Sequence, residues 1–124
     1  MTNPPLNKRQ QSERKGRYAE TLAACWLFLK GYKILARRYK TPVGEIDLIV
    51  KRKNTVIAVE VKARKTHAIA KESINHVQQS RIEKSLLWWV RANRLEACSL
   101  RFDVVTIVPG KFPYHIRNAW RASS

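Results

Sequence analysis

Apolar positions along the chain follow two different periods. Between about Lys15 and Lys30, Tyr18, Leu22, Trp26 and Leu29 recur at helical spacing, with Ala19, Ala23 and Ala24 adding propensity. Gly31 stands where a left-handed residue would end such a helix. Tyr32 to Tyr39 alternates loosely between apolar residues and Lys or Arg, and Thr41-Pro42-Val43-Gly44 is turn chemistry. Ile46, Leu48 and Val50 then alternate with Glu45, Asp47 and Ile49, Lys51-Arg52-Lys53-Asn54 interrupts them, and Thr55 to Val61 resumes with β-branched residues. That pattern predicts a hairpin. From Lys71 to Asn93, Ile74, Val77, Ile82, Leu86, Trp89 and Val90 form a second helical stripe. Leu100 to Val108 is a strong strand closed by Pro109-Gly110, and Tyr114 to Trp120 reads as a short edge strand or a tail. The order α-β-β-β-α-β predicts an α/β fold, a mixed sheet with a helix on each face. The folded domain is expected over residues 15–120, after a flexible, solvated arm over 1–14 and before a tail over 121–124.

At 124 residues the chain has room for one domain. A hydrophobic fraction of 44% separates it from disordered basic tails, which lack the apolar surface to offset chain entropy. Against that background, 25 Lys and Arg face only 9 Asp and Glu, a formal net charge of +16. A field of that size on so small a surface points to nucleic-acid phosphates or an anionic membrane, with nucleic acid first. No apolar run approaches the roughly 20 residues of a membrane span. The N-terminal segment has no apolar core of a secretory signal, so a cytoplasmic location is expected, without a membrane partner. Cys25 and Cys98 then fit as free thiols, and His67, His76 and His115 are too scattered for a Cys/His zinc site.

In a chain this basic, the positions of the acids carry the information. Asp47 sits inside an apolar strand, and Glu60 and Lys62 share one face of the next, opposite Ile57, Val59 and Val61. If the two strands pair, Asp47 reaches the face of Glu60 and Lys62, bringing two carboxylates and an ammonium together. Two adjacent carboxylates repel, and a hard divalent cation, Mg²⁺ or Mn²⁺, relieves that repulsion. The chemistry such a group supports is phosphodiester hydrolysis, the lysine orienting water or stabilising charge on phosphorus. The competing reading is a structural one, with Glu60 paired to Lys62, Arg64 or another base across the sheet. Glu20, in a small-residue neighbourhood of the first helix, is a third acid that calls for a cation or a base. Asp103 and Glu45 fit as well to holding an arginine in register as to chemistry, and Gln78 and Gln79 fit a solvated helix face better than a nucleotide contact.

The blocks Lys15-Gly16-Arg17-Tyr18-Ala19-Glu20, Gly44-Glu45-Ile46-Asp47-Leu48-Ile49, Val59-Glu60-Val61-Lys62-Ala63-Arg64 and Arg101-Phe102-Asp103-Val104-Val105 carry a resemblance. From about Lys15 to Val108 the chain resembles the YraN-type family of small bacterial proteins. That family is related to the restriction-endonuclease-like, PD-(D/E)XK nuclease superfamily and, within it, to archaeal Holliday-junction resolvases. The resemblance implies a restriction-endonuclease-like domain with a central mixed sheet flanked by helices. It also implies that Asp47, Glu60 and Lys62 are catalytic, and that Asp47 and Glu60 bind the metal with Glu20 completing or supporting the site.

The expected function is a Mg²⁺- or Mn²⁺-dependent endonuclease acting on DNA, branched or structured DNA included. Arg37, Arg38, Lys40, Lys51, Arg52, Lys53, Arg64 and Lys65 are the expected phosphate contacts, in turns flanking the acidic group. The alternative is a non-catalytic nucleic-acid-binding protein on the same fold, and a third reading is a basic adaptor in a larger assembly. Trp88-Trp89 on the second helix bears on a homodimer. Adjacent helical residues point about 100° apart, so one ring leaves the core stripe and an outward ring suits a partner subunit or a base, with a core or crevice position for both the more common outcome.

Overall fold

The structure is a computed structural model and describes residues 4–68 and 74–122. Helix α1 (Lys8–Leu29) leads into strands β1 (Lys33–Thr41), β2 (Gly44–Arg52) and β3 (Thr55–Ala63). Helix α2 (His76–Ala92) then connects to β4 (Ser99–Ile107) and β5 (Tyr114–Trp120). The five strands form one sheet in the order β1-β2-β3-β4-β5. Only β3 and β4 run parallel, because α2 carries the chain back between them; the other neighbours are antiparallel.

The helices cover opposite faces. Ala19, Ala23 and Leu27 of α1, with Tyr32, pack on Leu48, Val50, Ile57, Val59 and Val105. Ile82, Leu86, Trp89 and Val90 of α2 pack on Ile46, Ile49, Val56, Ala58 and Phe102. Covered on both sides, β3 is an almost unbroken apolar run, as a central strand must be.

The expected α/β layering is present, with four differences in detail. First, α1 begins at Lys8, so residues 8–14 are helical where an irregular arm was expected. Asn7 accepts the Gln10 N–H at 2.8 Å, and the Gln10 side chain accepts the Asn7 N–H at 3.1 Å, a reciprocal cap. Because that turn is polar all round, apolar periodicity does not register it. Second, α2 starts at His76 behind the cap Asn75, while the expected residues 71–73 lie outside the described residues, as do 1–3 and 123–124. Third, Val77 is exposed, and of the tryptophan pair Trp89 is 8% accessible while Trp88 is 52% accessible. Fourth, Tyr114–Trp120 is a strand, stacked on the sheet through Phe102 and Trp120, whose ring centroids lie 5.3 Å apart.

Asp103 holds β5 in place. The β4–β5 register is interrupted between Phe102–Trp120 and Val104–Ile116, and Asn118 there adopts a positive φ of 51°. The Asp103 carboxylate accepts the displaced Asn118 N–H at 2.9 Å, two bonds from Arg101 at 2.9 Å each, and one from His115 Nε2 at 2.7 Å. Burial alone would raise its pKa, but these donors together hold it below the ordinary carboxylate range. Of the two roles expected for Asp103, holding an arginine is the one the structure shows.

Gly44 fixes where β2 starts. A Cβ there would lie 3.0 Å from both Arg81 Cβ and Ser85 Oγ, so α2 crosses directly on the strand. The two-residue turn before it is tied by the Thr41 hydroxyl, which accepts the Val43 and Gly44 N–H groups at 3.2 and 3.0 Å and lies 3.0 Å from the Ser85 hydroxyl.

Gly44→Ala is expected to lower stability by about 1–3 kcal/mol through overpacking against α2, read as a lower Tm. Asp103→Asn is expected to lose about 2–4 kcal/mol near neutral pH. The Asp103 contribution is present above the unfolded carboxylate pKa and is lost as pH falls through the lower folded value, so the variant's deficit should shrink in acid unfolding experiments.

Candidate functional site

The sheet forks beside Asp47. Strand β2 stays paired with β1 as far as Thr41–Gly44, and β3 stays paired with β4 as far as Ala63–Ile107. Pairing between β2 and β3 begins only at Leu48–Val59 and runs away from this end. Asp47 fills the opening. Its carboxylate accepts the Val61 N–H at 2.8 Å, a donor that a β2 carbonyl would take in a continuous ladder. The apolar alternation of β2 changes phase at the same residue, with Ile46 in the α2 core and Leu48 in the α1 core.

The fork opens into a cleft of about 370 Å³. Asp47, Glu60 and Lys62 line it from the strands, Arg64 from just after β3, and Lys15 and Glu20 from α1. The Asp47 and Glu60 carboxyl groups both line this cleft, close enough that the Asp47 charge raises the Glu60 pKa. Glu60 is buried, with Lys62 Nζ 3.8 Å from its Oε1 and Gln78 Nε2 donating to the same oxygen at 3.3 Å. Among the described residues no donor reaches its other oxygen, Oε2, which is also buried.

That arrangement has an electrostatic signature. Burial pushes the Glu60 carboxyl up to about 9, with the neighbouring Asp47 charge adding to the rise and Lys62 opposing it. Burial raises Asp47 as well, against the pull of the Val61 N–H. Two desolvated carboxyls side by side disfavour double ionisation, and Lys62 only partly offsets this, so the pair favours keeping a proton.

The expected site residues divide into three groups. Asp47, Glu60 and Lys62 come together as expected. Glu20 reaches the cleft, but its carboxylate is held by Arg38 Nε at 2.5 Å, and no cluster of three or more His, Cys, Asp or Glu forms among the described residues. Arg38 makes that contact from a left-handed backbone position, φ 52°, opposite Asp47 across the β1–β2 pair. Arg37 donates to the Thr21 hydroxyl, Lys40 lies opposite Glu45, and Arg64 and Lys65 follow β3, all toward the forked end.

Lys51, Arg52 and Lys53 do not flank the acids. They occupy the β2–β3 turn at the opposite end of the sheet, about 17 Å from Asp47 at the usual rise per strand residue, with Arg52 over the Tyr32 ring. The sequence pattern put all the basic turns together because it does not record which end of a strand a turn occupies. Gln78, expected on a solvated helix face ahead of a nucleotide contact, instead donates to Glu60. It stands three residues after the helix cap Asn75, whose side chain accepts its N–H at 2.8 Å. Lys15 was missed as lining the cleft.

Residues 19–107, which include Glu20, Asp47, Glu60 and Lys62, match the family described as "Uncharacterised protein family UPF0102". The chain belongs to that family. The UPF0102 protein of Mesorhizobium japonicum is 45% identical over 97% of this chain and 97% of its own length. That of Chelativorans sp. is 47% identical over 92% of this chain and 93% of its own. That of Parvibaculum lavamentivorans is 48% identical over 87% of this chain and 82% of its own. Each of these three relatives is thus similar over most of this chain. Among the described residues, no helix is long and apolar enough to cross a membrane.

Because the folded pKa of Glu60 lies above its unfolded value, its contribution to stability is complete below about pH 4.5 and is lost as pH rises toward about 9. Glu60→Gln, neutral throughout, is therefore expected to be more stable than wild type in EDTA at pH 8, by at least about 1 kcal/mol or roughly 4 °C in Tm. The two proteins should converge near pH 5. A stability difference independent of pH would show that Glu60 ionises normally.

Proposed function

We propose that this protein is a Mg²⁺- or Mn²⁺-dependent endonuclease on a restriction-endonuclease-like fold, hydrolysing phosphodiester bonds in DNA. The observation that carries the reading is the pair Asp47 and Glu60, buried together at the fork with Lys62 beside them and Glu60 Oε2 left without a donor. A buried acceptor with no donor costs free energy that a cation removes, and two carboxylates completed by water and phosphate are a donor set suited to a hard divalent ion. When bound, such an ion would neutralise phosphate charge and acidify an attacking water.

The chain's own residues supply the rest. The Val61 N–H fixes the orientation of Asp47, and Gln78 fixes one oxygen of Glu60. Lys62, mostly withdrawn from solvent, holds a positive charge where negative charge grows on the phosphate, and it is placed to orient the attacking water. Lys15 and Arg64 line the same cleft and position the backbone of the substrate without reading its sequence. A net charge of +16 draws the polyanion to the surface.

The non-catalytic alternative draws on the pairing of Glu20 with Arg38, which leaves two carboxylates rather than three in the pocket. Cleavage assays separate the two readings. Wild type, Asp47→Ala, Glu60→Ala and Lys62→Met are compared on linear duplex, single-stranded and four-way-junction DNA with Mg²⁺, Mn²⁺ or EDTA. Wild-type cleavage should require the ion, and each substitution should reduce the rate at least about 100-fold. If wild type cuts none of these, or Asp47→Ala and Glu60→Ala cut as well as wild type, the protein is a binder and not a nuclease.

A further inference from the structure

Next to the acidic cleft lies a larger groove, of about 950 Å³, between α1 and the connection from β4 to β5. The two share Lys15, Ala19, Ala63 and Arg64, so they form one continuous depression. Their chemistry differs. The groove floor is apolar, built by Leu22, Ile107 and Val108, and an aromatic ring stands on each side, Tyr18 from α1 and Phe112 from the connection. These rings are 67% and 81% accessible, although neither is needed to fill a core. Among the described residues the charged members of the lining are Lys15, Arg64, Lys65 and Lys111, with no carboxylate.

An apolar floor with exposed rings and a purely cationic rim matches a ligand that is flat and aromatic at its centre and anionic along its edge. A nucleotide has that make-up. Paired bases present only their edges, with their faces covered by stacking, so a duplex cannot use the rings. An unpaired strand exposes each base face, and stacking on aromatic side chains is its usual mode of recognition.

We infer that this groove binds unpaired nucleotides, bases against Tyr18 and Phe112 and phosphates along Lys15, Arg64, Lys65 and Lys111, adjoining the Asp47–Glu60 pair. The direction of the strand into the cleft rests on the reading of that pair as the phosphodiester site. The groove's preference for unpaired bases does not. Substrates with a single-stranded segment beside the cut, such as frayed ends, flaps or opened junctions, are the class this selects.

The test measures binding in EDTA, where no cleavage intervenes. Fluorescence anisotropy follows a labelled blunt duplex and the same duplex with a single-stranded extension, using wild type, Tyr18→Leu/Phe112→Leu and Lys65→Ala/Lys111→Ala. Wild type should favour the extended duplex. The ring variant should lose at least about 10-fold on the extension, the loss of one stacked base, and less than about 2-fold on the blunt duplex. The lysine variant should weaken both and flatten the salt dependence. Both ring positions are exposed, and unchanged Tm values confirm intact folding. Equal wild-type affinity for the two DNAs, or ring substitutions that leave the extension unaffected, would overturn the proposal. So would a wild-type dimer in sedimentation that the ring variant dissociates, since the groove would then belong to a second copy. Ring-dependent binding without cleavage under Mg²⁺ or Mn²⁺ removes the nuclease reading and keeps the groove; cleavage with ring-independent binding does the reverse.

Discussion

The bond from the Val61 N–H to the Asp47 carboxylate, 2.8 Å long, is the constraint on which the rest of the site depends. A side-chain oxygen there takes the place of a main-chain acceptor, so β2 and β3 separate without leaving that N–H orphaned. The fork creates the cleft, admits α1 on one side and the first turn of α2 on the other, and sets the Asp47 and Glu60 carboxyls against each other. Gly44 supports the same geometry from beneath, because the close crossing of α2 pins the start of β2 just ahead of Asp47. The local rule is strand pairing, and it is broken at one place where a carboxylate makes the break tolerable.

Two buried acids show how their surroundings assign different tasks to similar side chains. Asp103 receives four hydrogen bonds, two of them from a guanidinium, and its charge is stabilised enough to outweigh burial. It closes an irregularity in an edge strand and has no acceptor capacity left for a ligand. Glu60 has one weakly placed amide donor, a lysine at 3.8 Å and an oxygen with no donor, next to another carboxyl. Asp103 is satisfied within the fold, whereas Glu60 Oε2 has no donor among the described residues. This contrast in donor count, rather than the presence of an acid in a strand, separates a structural carboxylate from a candidate ligand.

The basic field is divided in the same way. Arg38 and Arg101 are committed to Glu20 and Asp103, and Arg52 lies over an aromatic ring at the far end of the sheet. Lys15, Arg64, Lys65 and Lys111 instead surround the joined cleft and groove, where no acid but those of the cleft itself opposes them. Net charge alone does not distinguish cations that hold the fold from cations turned toward a polyanion.

Much of this was legible along the chain. Side-chain period is a local property of helix and strand, so α1, the β2–β3 hairpin, α2 and β4 follow from spacing, and the placement of Glu60 and Lys62 on one face follows from alternation. The scarcity of acids singled out Asp47 and Glu60 for the same reason that it made them conspicuous. What spacing did not contain was everything set by pairing: the phase change at Asp47, the engagement of Glu20 by Arg38, the approach of Gln78, and the end of the sheet at which each basic turn lies. Those depend on which strands part and which helix turn meets them, relations between residues 14 to 18 positions apart in sequence. The chain by itself determined the elements and the chemistry available to them, because both are written in local spacing and residue type. Only the tertiary structure decided which acids are buried beside one another and which are already paired, because that is settled by distance and by the number of donors that burial leaves within reach.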